Sequence, residues 1–190
     1  MNELNNILLV SGSGRNCGKT TFVCHAISQL SKSGKVIGLK ISPHFHLTGN
    51  KQKLIAKGEG FQVFQETDLF SGKDSSRMLK AGASEVFFIQ CNDMNLPGIW
   101  NEMKKLIPEN LPVVCESGSF SNVYLSGMHV LVVENVPEKS KKSYFENVDK
   151  ADFIVKKEEF SPENFGFEIH FKDSKWTLNK LKNDTIRRSA

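Results

Sequence analysis

The fold is decided by one stretch near the start of the chain, Ile7-Leu8-Leu9-Val10-Ser11-Gly12-Ser13-Gly14-Arg15-Asn16-Cys17-Gly18-Lys19-Thr20-Thr21. Its first four residues are apolar and are typical of a short buried β-strand. After the stretch, apolar residues recur at the spacing of one helical face, at Phe22, Val23, Ala26, Ile27 and Leu30. A glycine-rich loop between a strand and a helix predicts a phosphate-binding loop, because its N–H groups and the helix dipole attract an anion.

This loop, residues 11–21, is called the P-loop below, and its pattern predicts roles for individual residues. We expect Lys19 to reach the β- and γ-phosphates of a nucleotide and the Thr20 hydroxyl to bind Mg²⁺. The pattern G-x-x-x-x-G-K-[ST] has glycine where this chain has Ser13. The alternative, a glycine-rich turn without a ligand, is disfavoured by Gly-Lys-Thr-Thr at a helix start. The predicted nucleotide-binding residues are Ser13, Gly14, Arg15, Asn16, Cys17, Gly18, Lys19, Thr20 and Thr21.

Length and composition predict one domain over residues 1–190. The net charge of +4 comes from basic residues that are dispersed among acids, so nucleic acid is not expected as a partner. No apolar run is long enough to cross a bilayer, and the first residues lack the pattern of a signal peptide. The four cysteines form no C-x-x-C pair, which favours reduced thiols. We expect a cytoplasmic protein without a membrane partner.

Strands and helices alternate along the chain, which predicts an α/β fold with a mostly parallel sheet. A helix over residues 18–33, ended by a left-handed Gly34, leads to a strand at 35–41, and this spacing predicts a right-handed βαβ unit. Later strands are expected at 85–90, 111–116, 129–134 and 151–155, and helices at 72–83 and 95–106. Together with the P-loop these elements predict a three-layer P-loop NTPase fold.

Three further segments complete the predicted organisation. Residues 48–59 are polar and are expected to be flexible, whereas 60–67 alternate in polarity and predict a strand at a sheet edge. Near the C-terminus, two period-two segments predict an antiparallel hairpin at about 166–179. A polar tail follows at 180–190.

Two acidic residues are candidates for a metal site at the carboxyl edge of the sheet, where open α/β sheets bind ligands. Glu116 ends an apolar strand, and it could bind Mg²⁺, hold a metal-bound water or act as a base. Asp74 lies three residues before Arg77 on a predicted helix, so Asp74 could orient Mg²⁺ while Arg77 contacts phosphate or substrate. The alternatives are a solvated acid and a surface ion pair. The predicted metal ligands are thus Thr20, Asp74 and Glu116, and the predicted catalytic residues are Lys19, Asp74 and Glu116.

Two histidines follow the second predicted strand, which Pro43 ends. His44 and His46 are therefore expected near the nucleotide, as substrate contacts, a proton shuttle or metal ligands. Without a third ligand in the sequence, a polar surface loop is an equally good interpretation.

Several segments, in matching order, resemble the MobB-like P-loop proteins, which are molybdopterin-guanine dinucleotide biosynthesis adaptors. They are the P-loop, the strand that runs into Lys40 with His44-Phe45-His46, the run Gly72-Lys73-Asp74-Ser75-Ser76-Arg77 with Ala81-Gly82-Ala83, and the strand ending in Glu116. The resemblance implies a P-loop α/β domain that binds a guanine nucleotide with Mg²⁺ through Lys19, Thr20, Asp74 and Glu116. It also implies a homodimer that supports cofactor assembly with a protein partner. After Glu116 the chain reads Ser-Gly-Ser-Phe, where the family tends to have Gly-Phe-Lys.

Three functions are compatible with these features. The first is a nucleotide-binding adaptor with slow GTPase or ATPase activity, and the second is a small-molecule kinase whose acceptor contacts His44, His46 and Arg77. The third is a nucleotide-regulated interaction module. The intact P-loop argues against a degenerate P-loop protein that acts only as an interaction module. The sequence offers no lid with paired arginines, as a nucleotide kinase needs, and this favours the adaptor. The choice between GTP and ATP is open, because the Asn-Lys-x-Asp signature of guanine-specific GTPases is absent.

Overall fold

In the computed structural model, which describes residues 3–45, 51–134 and 142–181, eight strands form one sheet in the order β3-β4-β5-β2-β6-β1-β7-β8. The six strands from β5 to β8 in this order are parallel, and β3 and β4 extend the sheet as an antiparallel pair. Their bounds are β1 Glu3–Gly12, β2 Ile37–Ser42, β3 Gln52–Gly58, β4 Phe61–Glu66, β5 Glu85–Cys91, β6 Val113–Glu116, β7 Leu125–Val133 and β8 Phe153–Lys156.

Helices cover both faces of this sheet, which gives the molecule three layers. Strand β1 shows the division, because Leu8 and Val10 face one apolar core and Ile7 and Leu9 face the other. The helices are α1 Lys19–Leu30, α2 Asp74–Lys80, α3 Leu96–Met103 and α4 Lys142–Val148. Helices α1 and α2 contribute to the first core and α3 to the second. The predicted α/β class and mostly parallel sheet are confirmed.

An antiparallel hairpin, β9 Phe167–Lys172 and β10 Lys175–Lys180, packs over α1. The side chain of Gln29 on α1 donates to the carbonyl of Phe167 at 2.8 Å and accepts from the N–H of Ile169 at 2.9 Å. Asp173 and Ser174 form the turn with φ of 50° and 59°, both in the left-handed region. The predicted C-terminal hairpin is therefore confirmed, and it forms part of the outer wall of the α1 layer.

Strand register places three functional strands side by side. Cα partners align Val10 of β1 with Glu116 of β6, and Glu116 with Lys40 of β2. Since all three strands are parallel, their carboxyl ends meet at one edge, directly beside the P-loop.

Three local predictions were wrong. The strand expected at a sheet edge over 60–67 is β4, which is not at the edge because it pairs with β3 on one side and β5 on the other. Residues 52–58 were expected to be flexible, but they form β3, whose polar residues are supported by ladder pairing with β4 rather than by burial. Gly34 was expected to end the first helix in a left-handed conformation, but α1 ends at Leu30, and Gly34 is outside that region. Gly82, by contrast, has φ 109° and follows α2 as predicted. In the described residues, no helix is long and apolar enough to cross a membrane.

Candidate functional site

The P-loop folds back over the side chain of its own lysine. Lys19 Nζ donates a hydrogen bond to the carbonyl of Gly14 at 2.5 Å, across the opening of the loop. A Cβ atom on Gly12 would lie 2.4 Å from Cys17 Sγ and 2.8 Å from Lys19 Cδ, whereas one on Gly14 would meet nothing within 4 Å. The glycine required for close packing in this loop is thus Gly12.

Ser13, which departs from the loop pattern, has a structural role. Its N–H donates to the carbonyl of Val132 at 3.0 Å, and its hydroxyl accepts from the N–H of Glu134 at 3.3 Å. Its side chain is 5% exposed and points to the end of β7 rather than into the loop. The substitution of serine for glycine therefore leaves the loop interior open and ties the loop to the neighbouring strand.

The last turn of the loop needs left-handed backbone. Asn16 has φ 62° and Gly18 has φ 102°, and a Cβ on Gly18 would also approach Phe160 Cζ at 3.1 Å. Gly18 caps the N-terminus of α1, and its carbonyl accepts the N–H of Phe22 at 3.0 Å. The first N–H groups of a helix have no partner within the helix, so the N-terminus of α1 offers donors to an anion bound in the loop.

Four side chains meet beside the loop at the edge of the sheet. The Thr20 hydroxyl lies 3.0 Å from Asp74 Oδ1 and 3.0 Å from Glu116 Oε2. Lys40 Nζ donates to Asp74 Oδ2 at 2.8 Å and to Glu116 Oε1 at 2.5 Å. These four residues come from α1, β2, α2 and β6 and form one polar cluster. It is called the carboxylate cluster below (Thr20, Lys40, Asp74 and Glu116).

The charged side chains of the carboxylate cluster are shielded from solvent to different degrees, and they affect one another's pKa values. The exposed fraction of the side chain is 2% for Glu116, 17% for Lys40 and 40% for Asp74. Burial alone would lower the pKa of Lys40, but the charges of Glu116 and Asp74 and their hydrogen bonds raise it. Burial would likewise raise the pKa of Asp74, but Lys40, the Thr20 hydrogen bond and the charge of Arg77 lower it. We conclude that Lys40 and Asp74 are both charged at neutral pH.

Two features bring Asp74 into the carboxylate cluster. Gly38 of β2 allows α2 to approach the sheet, since a Cβ there would lie 3.0 Å from Val86 Cγ2 and 3.4 Å from Met78 Cβ. Glu66, 3% exposed at the end of β4, accepts the Ser75 hydroxyl at 2.6 Å and so holds the first turn of α2. Neither residue was recognised from the sequence as part of the site.

A buried histidine lies behind the P-loop. His129 Nδ1 is 3.3 Å from the carbonyl of Lys150, which can only accept, so Nδ1 carries the proton and Nε2 accepts from the Ser11 hydroxyl at 2.7 Å. Burial lowers the pKa of His129 to about 4, and the Lys150 carbonyl and the Asp152 charge offset this effect only in part. The strand end that leads into the P-loop is therefore held by a neutral imidazole.

The P-loop and the carboxylate cluster enclose one cavity of about 460 Å³. Most predicted site residues line it, together with Lys40: Arg15, Asn16, Gly18, Lys19, Thr20, Thr21, Asp74, Arg77 and Glu116. Ser13 and Cys17 are buried behind the loop, and Gly14 contributes its carbonyl to Lys19. His44 is exposed in the turn after β2 and is not among the lining residues, and His46 lies outside the described residues.

A larger cavity, of about 830 Å³, lies at the opposite edge of the sheet, between the end of α1, the hairpin and the start of β6. Its lining includes Lys32, Lys35 and Lys172 but neither the P-loop nor the carboxylate cluster. Size alone therefore does not identify the site; the convergence of charged groups does.

The side-chain oxygens of Thr20, Asp74 and Glu116 fit Mg²⁺. They are hydroxyl and carboxylate oxygens, the hard ligands that this ion prefers. In the part of the chain that the structure describes, no three His, Cys, Asp or Glu side chains are grouped for metal binding. This agrees with the usual Mg²⁺ site of nucleotide enzymes, in which one or two carboxylates are completed by phosphate and water.

Comparisons with known proteins show no family for this chain. No family model matches the chain, and no curated protein matches it. One solved structure that matches is the crystal structure of the "apo" form of LpxK from Aquifex aeolicus in complex with ATP, with 20% identity and a TM-score of 0.47. The alignment covers 84% of this chain and 50% of that one, so the chain spans half the length of LpxK. The resemblance to MobB-like proteins remains a prediction from motifs.

Proposed function

We propose that this protein binds a purine nucleoside triphosphate, GTP or ATP, together with Mg²⁺, and hydrolyses it slowly. One observation carries the proposal: Lys19, Thr20, Asp74 and Glu116 line a single cavity at the N-terminus of α1. A phosphate-binding loop, a lysine and oxygen ligands for Mg²⁺ are the parts that P-loop proteins use to hold a β,γ-phosphate group.

Each residue has a distinct proposed task. The P-loop N–H groups bind the phosphates, and Lys19 leaves the Gly14 carbonyl to neutralise their charge. Thr20, Asp74 and Glu116 would hold Mg²⁺, which when bound would supply stabilisation of negative charge at the phosphates. The buried Glu116 carboxylate would also orient a water molecule toward the γ-phosphate.

Binding can be tested with a thermal-shift panel of ATP, GTP, ADP and GDP, with and without Mg²⁺, because a ligand of the folded state raises the melting temperature. Calorimetric titration of Lys19→Ala should show a loss of about 2–3 kcal/mol, or roughly 30- to 150-fold in Kd. Lys32→Ala, an exposed lysine just after α1, is the control and should bind as the wild type does. A Lys19→Ala variant with wild-type affinity would remove the P-loop from the proposal.

Phosphoryl transfer to a small molecule is the second candidate, and the position of Arg77 favours it. This exposed arginine lines the cavity on the α2 side and affects the pKa of Asp74. It could therefore contact an anionic acceptor next to the γ-phosphate. Incubation with radiolabelled triphosphate and a panel of cellular metabolites distinguishes the two: an adaptor releases only inorganic phosphate, whereas a kinase yields a labelled product.

We further propose, on the motif resemblance alone, that the protein forms a homodimer and supports assembly of a nucleotide-containing cofactor with a protein partner. Light scattering with size-exclusion chromatography measures the oligomeric state. A monomer at micromolar concentration, with and without nucleotide, would contradict the dimer without affecting nucleotide binding.

A further inference from the structure

The ammonium group of Lys40 lies between the two carboxylates that we propose as cation ligands. It contacts one oxygen of Asp74 at 2.8 Å and one of Glu116 at 2.5 Å. The second oxygen of each carboxylate lies 3.0 Å from the Thr20 hydroxyl. The Thr20 hydroxyl has a single proton and can donate to only one of these two oxygens at a time. Lys40 is therefore the one charged partner that both carboxylates share within the carboxylate cluster, and an arriving divalent cation must displace it to bind between them.

Lys40 is a strong competitor for this position for three reasons. It is tethered to β2, so its contact with the carboxylates is intramolecular and, unlike the binding of a free cation, does not depend on a concentration in solution. The Lys40 side chain is 17% exposed and that of Glu116 is 2% exposed, so solvent and salt screen their attraction weakly. Departure of Lys40 without a replacement cation would also leave the buried Glu116 carboxylate without a charged partner, which is costly.

We propose that Lys40 occupies the divalent-cation position in the nucleotide-free protein and yields it only when a triphosphate arrives, so that Lys40 makes cation binding depend on nucleotide. The triphosphate gives the cation extra oxygen ligands, and it gives the displaced ammonium a new anionic partner within the same cavity. The dependence on nucleotide rests on the function proposed above. The competition between Lys40 and a free cation does not rest on nucleotide binding and can be tested without nucleotide.

Direct measurement of Mn²⁺ binding, by the loss of the free Mn²⁺ signal in electron paramagnetic resonance, tests the competition in nucleotide-free protein. Lys40→Met removes the competing charge, and we expect its Mn²⁺ affinity to be at least tenfold higher than that of the wild type. Lys35→Met, an exposed lysine just before β2, removes the same net charge away from the site and should leave the affinity unchanged. Equal affinity in Lys40→Met and wild type would overturn the proposal.

Without Lys40, repulsion between Asp74 and Glu116 could keep Lys40→Met from folding, which circular dichroism would show. A second variant is used in that event. Lys40→Gln keeps hydrogen-bond donors near the carboxylates but carries no charge, and it should also bind free Mn²⁺ more tightly than the wild type. No gain in Lys40→Gln would overturn the proposal on its own.

Repeating the titrations with saturating ATP or GTP tests the dependence on nucleotide. The difference in Mn²⁺ affinity between wild type and Lys40→Gln should shrink at least threefold, and an unchanged difference would contradict this part. If no nucleotide binds to any variant but the Lys40 variants still gain Mn²⁺ affinity, the proposed function fails and the competition stands. If nucleotide binds normally and no variant gains, the competition fails and the proposed function stands.

Discussion

Replacing Gly12 by alanine tests whether close packing of the P-loop sets the position of Lys19. The added methyl group would lie 2.4 Å from Cys17 Sγ and 2.8 Å from Lys19 Cγ and Cδ. Cys17 is 1% exposed, so relieving this contact requires a shift of the buried thiol, the backbone or the lysine stem. Overpacking of this kind costs about 1–3 kcal/mol of folding free energy.

The consequences can be measured in two assays. For a chain of this size the lost stability corresponds to a decrease of about 2–12 °C in melting temperature. Displacement of Lys19 from the phosphates should remove a charge-assisted hydrogen bond of about 1.5–3 kcal/mol, which weakens nucleotide binding roughly 10- to 150-fold in calorimetry.

Gly14→Ala is the matched control, two residues away in the same loop. Its Cβ would meet nothing within 4 Å, and its φ is not in the left-handed region. We expect stability within about 1 kcal/mol of the wild type and unchanged nucleotide affinity. Equal behaviour of the two variants would refute the reasoning, because the close contact at Gly12 would then have no energetic effect.

Three further predictions concern the acids and the histidine around the loop. Glu116→Gln should slow hydrolysis by about 100-fold or more while Kd for nucleotide changes less than tenfold, as single-turnover kinetics and calorimetry would show; wild-type turnover would exclude Glu116 from the reaction. The pKa of His129 is about 4 in the fold and near the ordinary histidine value of 6.5 when the chain is unfolded, so the unfolded chain binds the extra proton and stability falls by about 3 kcal/mol as pH drops from 6.5 to 4. Urea unfolding at several pH values should show this fall, and His129→Gln should lack it; an equal fall in both would assign it to other groups. Glu66→Ala should cost about 3 kcal/mol because the buried Ser75 hydroxyl and other donors lose their acceptor, whereas the exposed control Glu102→Ala should change stability by less than about 0.5 kcal/mol.

Local patterns were sufficient to predict the frame of the site. The apolar run of β1, the glycine-rich loop and the helical spacing after it specify one strand–loop–helix unit, and the structure has β1 and α1 in this arrangement. Asp74 and Glu116 were predicted as metal ligands together with Thr20, and a carboxylate oxygen of each lies 3.0 Å from the Thr20 hydroxyl. Their proximity could be anticipated because it depends on a few neighbouring residues and on the rule that parallel strands share a carboxyl edge.

What could not be predicted depends on contacts between distant parts of the chain. Strand β3 has few buried side chains, so its sequence lacks the apolar alternation of a half-buried strand. It is a strand because its backbone pairs with β4. Lys40 joined the carboxylate cluster because register aligns it with Glu116, and sequence alone does not fix register. A lysine among the last residues of an otherwise apolar strand was the available signal, since an isolated charge there needs a partner at the sheet edge.

The hairpin over α1 has a consequence for how the protein is made. The outer side of α1 is covered by β9, Trp176 of β10 donates to the carbonyl of Asn5 at 2.9 Å, and both strands come from the far end of the described chain. During translation, α1 leaves the ribosome long before β9 and β10 do. Its outer apolar surface therefore stays exposed until these two strands have been released. Nascent chains arrested before residue 167 should therefore be protease-sensitive around α1, and those released beyond residue 180 should be resistant.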